Sequence, residues 1–146
     1  MKEAWNYQVG ALLYCPANNQ SLAKNIIQSA FGEKFSLCLC LEDTINDKKV
    51  REAELDMEHT LQQIYEARRA GKQFYLPKIF IRVRQKEQIV RLIQELGVIA
   101  DIVTGFNLPK FNLENAHGYL DALTDCKHLK KDIKFMPILE SQDLAD

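Results

Sequence analysis

The chain lacks most of the features by which a sequence announces a specialised class. Its four cysteines include no Cys-x-x-Cys pair, so neither disulfide-scaffold nor zinc-ribbon spacing is present. A net charge of -1 and a pI near 6.3 leave no basic footprint for a nucleic acid partner. No segment approaches the length of a membrane span, which argues against a membrane partner. Met1 to Gln8 carries acid and amide groups where a secretory leader has a basic start and an apolar run, so the cytoplasm is the expected location. Internal repeats, low-complexity tracts and linkers are missing too. The three histidines, His59, His117 and His128, fall on predicted helices without an i, i+4 ligand partner and read as surface residues.

What is there is a pattern. With 146 residues, 47% of them hydrophobic, the chain is long enough for one domain with a substantial core. Gly10–Cys15 is an apolar run closed by Pro16-Ala-Asn-Asn19, and Leu22, Ile26, Ile27 and Ala30 follow at helical spacing. A second strand leads to a helix capped from Thr44 to Asp47, with Val50, Ala53, Leu55, Met57, Leu61 and Ile64 as its apolar positions and Ala70-Gly71 as its end. Ile79–Val83 is a third strand, and Gln85–Leu96 is an amphipathic helix that presents Ile89, Val90, Leu92, Ile93 and Leu96 to the core and stops at Gly97. Ile99–Thr104 reads as a fourth strand, Asn107–Phe111 as a loop, Glu114–Leu129 as a helix through Ala116, Leu120 and Leu123, and Phe135–Leu139 as a fifth strand. Alternation of strand and helix implies an α/β fold with a parallel sheet. A complete (β/α)₈ barrel takes about 250 residues, so the pattern corresponds to a partial barrel holding its first five strands.

Chemistry concentrates where strands end, the position of active sites in barrel folds. Leu37-Cys-Leu-Cys-Leu41 runs into two adjacent carboxylates, Glu42 and Asp43; Lys78-Ile-Phe-Ile-Arg-Val-Arg84 delivers Arg82 and Arg84; Phe135-Met-Pro-Ile-Leu139 runs into Glu140. A divalent metal and an anionic substrate use such groups. Glu42 and Asp43 also suit a turn that caps a helix. Arg82 lies within an apolar run, where an unpaired charge is costly, and Glu42 is its candidate partner. Lys110 fits contact with substrate or phosphate, and less readily a Schiff base. Cys38 and Cys40 alternate on one strand, point the same way and read as reduced core thiols. The mixed charges from Asp47 to Glu58 read as a solvated helix face.

Five strand-end motifs in order, Leu12-Leu-Tyr-Cys-Pro16, Leu41-Glu-Asp-Thr-Ile45, Ile81-Arg-Val-Arg84, Leu108-Pro-Lys110 and Pro137-Ile-Leu-Glu140, give the chain a resemblance to the citrate lyase β-subunit and malyl-CoA lyase group of TIM-barrel carbon-carbon bond lyases, in a divergent branch. The resemblance implies that residues 1–146 form the N-terminal portion of such a barrel. It implies retro-aldol or retro-Claisen cleavage of a small organic acid or its acyl-CoA thioester through an enolate stabilised by Mg²⁺ and an arginine. By the same resemblance Glu140 is the metal ligand, Arg82 the clamp on the substrate, Glu42 and Asp43 the acids that order the pocket, and Pro16, Arg84 and Lys110 substrate-contacting residues. The family's Pro-Gly reads Pro16-Ala17 here, an arginine common before the first strand is replaced by Val9-Gly10, and the family's Arg-x-Asn reads Arg82-Val-Arg84, which suits a more highly charged substrate. Since part of the barrel and the second metal ligand are missing, the 146 residues alone are expected to be inactive and to cover their sheet edges as a homo-oligomer. A non-catalytic relative that binds a small acid or a protein partner is the alternative reading.

Overall fold

A computed structural model describes residues 11–29, 32, 34–41, 49–111, 114, 116–129 and 132–139. Five strands, β1 (Ala11–Pro16), β2 (Phe35–Cys40), β3 (Lys78–Arg82), β4 (Val103–Phe111) and β5 (Lys134–Leu139), form one parallel sheet in the order β1-β2-β3-β4-β5. The connections contain α1 (Leu22–Ile27), α2 (Val50–Arg69), α3 (Glu87–Leu96) and α4 (Ala116–Leu129), with a 3-10 helix at Gly97–Ile102 between α3 and β4. Sequential parallel neighbours joined by helices are the arrangement of a (β/α)₈ barrel, here a partial one. Among the described residues no helix is long and apolar enough to cross a membrane.

Alternate residues of the strands separate two environments. Leu37, Leu39 and Leu41, with Ile79, Ile81 and Val83, join Met57, Leu61 and Ile64 of α2 and Ile89, Leu92 and Ile93 of α3 in one buried apolar cluster. Cys38, Cys40 and Phe80 are buried on the other face of the sheet and lie outside that cluster. Burial on both faces is why β2 reads as an unbroken apolar run instead of an alternating one.

The structure corrects the sequence reading between Gly97 and Phe111. The run Ile99–Ile102, expected as strand, is 3-10 helix, and β4 begins at Val103 and continues through the Asn107–Phe111 segment expected as loop. A short apolar run carries no periodicity that separates the two states, and Ala100 and Ile102 bury their side chains equally well from a helical turn. The proline that suggested a loop is accommodated because the β4/β5 register shifts between Leu108 and Phe111, so Pro109 has no ladder partner to disappoint.

Two helix faces also differ from expectation. In α2 Leu55 is exposed and Glu54 is buried, and in α4 Leu120 is exposed while Tyr119, Ala122 and Cys126 turn inward. The expected N-terminal cap at Thr44–Asp47 lies outside the described residues, apart from which α2 ends as anticipated, with Gly71 at φ 88°. Gly97, at φ 56°, ends α3. His59, His117 and His128 are exposed, and the four cysteines are free thiols.

Candidate active site at the strand ends

The β3/β4 pairing sets the geometry of the site. Ile79 pairs with Val103 but Phe80 pairs with Gly105, so Thr104 is an extra residue, and its Oγ1 accepts the Ile79 N–H at 3.2 Å. This bulge inverts the alternation of β4 beyond it. Phe106 and Leu108 therefore join the helix-side core while Gly105 and Asn107 face the opposite way. Gly105 is required here, because a Cβ at this position would collide with the Lys134 carbonyl oxygen.

The consequence is a continuous row across the sheet near the C-terminal ends of its strands: Pro16 pairs with Cys40, Cys40 with Arg82, Arg82 with Asn107 and Asn107 with Met136. Register partners in a parallel sheet project to the same face, so Arg82 is flanked by a thiol and a carboxamide. The row is tied down just past the strands. Ala17 N–H donates to Cys40 O at 3.1 Å, Leu41 N–H to Arg82 O at 2.9 Å and Val83 N–H to Asn107 O at 3.3 Å.

Among the described residues, a thiol and a carboxamide flank Arg82 on its own face of the sheet. Asn107 is fully buried and its Nδ2 donates to Cys38 Sγ at 3.7 Å, and Cys40 Sγ donates to the Cys38 carbonyl at 3.8 Å. The hydrogen bond with Cys40 and burial push the Cys38 thiol far up, overcoming the opposite pull of Arg82 and Asn107. Cys38 is thus a thiol at neutral pH, unsuited to act as a thiolate nucleophile. The half-buried guanidinium of Arg82 stands at the strand ends between its register partners Cys40 and Asn107.

A family model for carbon-carbon bond lyases of the TIM-barrel fold matches residues 3–146. The chain belongs to this family. Among curated proteins none matches the chain. Membership of the lyase family agrees with the parallel β/α order of the sheet.

Of the residues expected at the site, Arg82 and Pro16 share the cross-strand row with Cys40 between them, about 10 Å apart at the usual strand spacing. Arg84 lies just beyond β3, half-buried, in the β3–α3 loop. Lys110 belongs to β4 by its backbone, and its side chain lies outside what the structure describes. Glu42, Asp43 and Glu140 lie outside the described residues. Cys38, Cys40 and Asn107 were not foreseen as neighbours of Arg82; the thiols were legible as cofacial, but Asn107 depends on a bulge that the sequence does not advertise.

A second unforeseen assembly corrects the solvated-face reading of Asp47–Glu58 at Glu54, while Lys49, Arg51 and Glu52 are exposed as expected and Asp47 and Lys48 lie outside the described residues. Glu54 is 1% exposed and accepts from Arg91 through both guanidinium nitrogens, NH2–Oε2 at 2.7 Å and NH1–Oε1 at 2.9 Å. Arg51 NH1 reaches Glu54 Oε1 and Glu95 Oε1, each at 2.9 Å, and Gln88 Nε2 reaches Glu54 Oε2 at 2.7 Å. Burial pushes the Glu54 carboxyl up, but the hydrogen bonds from Arg91, Gln88 and Arg51 outweigh it and hold the group below its ordinary value. Gln88 also accepts the backbone N–H groups of Arg84 and Gln85 through Oε1. Glu54 therefore fixes, through Gln88, the loop that carries Arg84.

Proposed function

We propose that the chain supplies the substrate-clamping part of a lyase of the citrate lyase β-subunit and malyl-CoA lyase type, which cleaves a carbon-carbon bond of an organic acid or its coenzyme A thioester by a retro-aldol or retro-Claisen step. The observation that carries this reading is the placement of Arg82 in the strand-end row, between Cys40 and Asn107. In such a cleavage the electron pair of the breaking bond moves onto a carbonyl oxygen, giving an enolate. A planar, permanently charged fork placed where that oxygen develops charge stabilises the transition state more than the ground state. Among the described residues, the Cys38 thiol and the Asn107 amide near Arg82 add no competing negative charge. Arg84, two residues on, suits a second carboxylate or another anionic group of the substrate, and Pro16 and Lys110 are its remaining proposed contacts.

Mg²⁺ is the metal proposed for the family chemistry, and when bound it supplies a Lewis acid to the enolate oxygen. The described groups around Arg82 are thiols and an amide, not the hard carboxylate oxygens that Mg²⁺ prefers, and among the described residues no cluster of three or more His, Cys, Asp or Glu could hold a metal. The carboxylates proposed for it, Glu140 as ligand with Glu42 and Asp43 as pocket acids, lie outside the described residues.

Two measurements test the reading. Arg82→Lys in the complete active assembly should lower kcat by about 10²–10³-fold with little change in Tm, since a point charge cannot replace the two-pronged donor. Glu140→Gln should abolish Mg²⁺ binding followed by calorimetry. Wild-type turnover from the lysine variant would remove Arg82 from the chemistry. Unchanged Mg²⁺ affinity in the glutamine variant would favour a non-catalytic acid-binding or partner-binding relative.

A further inference from the structure

The ion-pair network at Glu54 reaches the strand ends through one residue, Gln88. Gln88 stands in the first turn of α3 and is 2% exposed, so its carboxamide must find partners within the protein. Both ends of it are used. Nε2 donates to Glu54 Oε2 at 2.7 Å, and Oε1 accepts the backbone N–H groups of Arg84 and Gln85. The amide has one orientation available to it. An ionised carboxylate only accepts hydrogen bonds, so the nitrogen must face Glu54 and the oxygen must face the loop. Hydrogen bonds from Arg91 and Arg51 help hold Glu54 in that ionised state.

A glutamine near a helix start commonly reaches back to the residue that opens the helix, as in a capping box. Gln88 reaches past Lys86, which opens α3, to the loop before it. Its own N–H returns a bond to Gln85 O at 3.2 Å, so Gln85 is held through both of its backbone polar groups by one residue. The rest of the connection is tied as well. Arg82 O accepts from Leu41 N–H at the end of β2, and Val83 N–H donates to Asn107 O on β4. Each residue from Arg82 to Gln85 therefore has a backbone group bonded to another element, and the step from Arg82 to Arg84 is fixed at both ends.

We infer, resting on the reading of Arg82 and Arg84 as substrate contacts, that Gln88 is a positioning residue: oriented by Glu54, it sets Arg84 relative to Arg82 and so selects acids with two anionic groups over acids with one. Gln88 acts through the loop backbone, not by contact with the substrate. A preset spacing between two cations removes the cost of ordering the loop when a doubly charged acid binds, and it gives nothing to an acid that engages Arg82 alone.

The test is a pair of titrations of the isotope-labelled 146-residue chain at constant ionic strength, one with acetate and one with succinate, followed by amide chemical shifts and hydrogen exchange. The parent should bind succinate about ten-fold more tightly than acetate, the equivalent of one added charge-assisted hydrogen bond. Succinate, and not acetate, should slow exchange of the Arg84 and Gln85 amides. Gln88→Met removes both ends of the tether at similar volume, and it should abolish the preference while leaving acetate binding unchanged. Gln88→Glu keeps an acceptor for the loop but sets a like charge against Glu54, so it should lower Tm yet keep the preference. Should Gln88→Met fail to fold, the exchange result in the parent and the glutamate variant decide the matter. A preference that survives Gln88→Met, that falls with Tm in Gln88→Glu, or that is absent from the parent would overturn the role of Gln88 and leave Arg82 in its own. Exchange at Arg84 and Gln85 that succinate leaves unchanged would do the same. A parent that binds neither acid at Arg82 would remove the assignment of Arg82 itself, and that of Gln88 with it.

Discussion

Arg82 occupies a position that the sequence identifies and an environment that it does not. A charge inside Lys78-Ile-Phe-Ile-Arg82 stands out by composition alone, and its place at a strand end follows from the run of apolar residues before it. Its neighbours follow from register, which depends on Thr104 being skipped in the β3/β4 ladder, and a single inserted residue leaves no mark on hydropathy. Glu42, Asp43 and Glu140 were equally visible as acids that follow apolar runs, but their placement lies outside the described residues. Gly105 provides a residue-scale test of the register. Gly105→Ala places a methyl group against the Lys134 backbone, which cannot turn aside as a flexible side chain would. Loss of about 1–3 kcal/mol in chemical denaturation is expected, with the β4/β5 pairing the first to open in hydrogen exchange. An alanine variant as stable as the parent would mean that β4 and β5 do not approach in this register.

At the level of elements, strand and helix order was legible outside Gly97–Phe111 because periodicity and end signals agreed, as at Gly71. What periodicity concealed was the seam between α2 and α3. A glutamate among Arg, Glu, Asp and His looks like solvent-facing charge, yet Glu54 is the hub that Arg51, Arg91 and Gln88 converge on. Glu54→Ala should cost about 1–3 kcal/mol, since it removes the acceptor of the half-exposed Arg51 and Arg91 and of the buried Gln88, against near zero for an exposed helix acid. Urea denaturation checks this, and a loss below half a kcal/mol would restore the solvated-face reading. One turn further along α2, burial and the facing Glu95 raise the Glu58 carboxyl to about 7, while hydrogen bonds from Glu58, Arg51 and Arg91 lower Glu95 to about 2. The surrounding charges are Arg51 and Glu54 on α2 and Arg91 on α3. The raised Glu58 contributes stability that is complete below its unfolded value and is lost as pH rises through about 7. The lowered Glu95 contributes stability that is present above its unfolded value and is lost as pH falls through about 2. Glu58→Gln keeps a donor toward Glu95 without needing a proton, so its Tm advantage over the parent should grow from about pH 5 to about pH 8. A pH-independent difference would show that the two carboxyls do not share a proton.

For the whole molecule, the question is how a five-stranded segment of barrel manages its end strands. A closed barrel has no edges, and a parallel sheet that stops short of closure presents unpaired backbone at both ends. β1 is one end of the described sheet, and its Leu13 and Tyr14 are 40% and 56% exposed, apolar surface on both faces of the same strand. Parallel strands are ordinarily covered on both faces, which makes this exposure unfavourable for an isolated chain. We therefore expect the 146-residue chain to associate with itself in solution, with a light-scattering mass at least twice that of the chain, and to lack lyase turnover at concentrations where it is monomeric. Leu13→Lys together with Tyr14→Lys should reduce the assembly to monomers, because two charges at the end strand penalise edge pairing while leaving the β1/β2 ladder intact. If activity exists, it should then fall with the oligomer fraction upon dilution. A monodisperse, folded monomer with metal-dependent cleavage activity would refute both expectations, and the Arg82 row would then be a complete active site within a single open sheet.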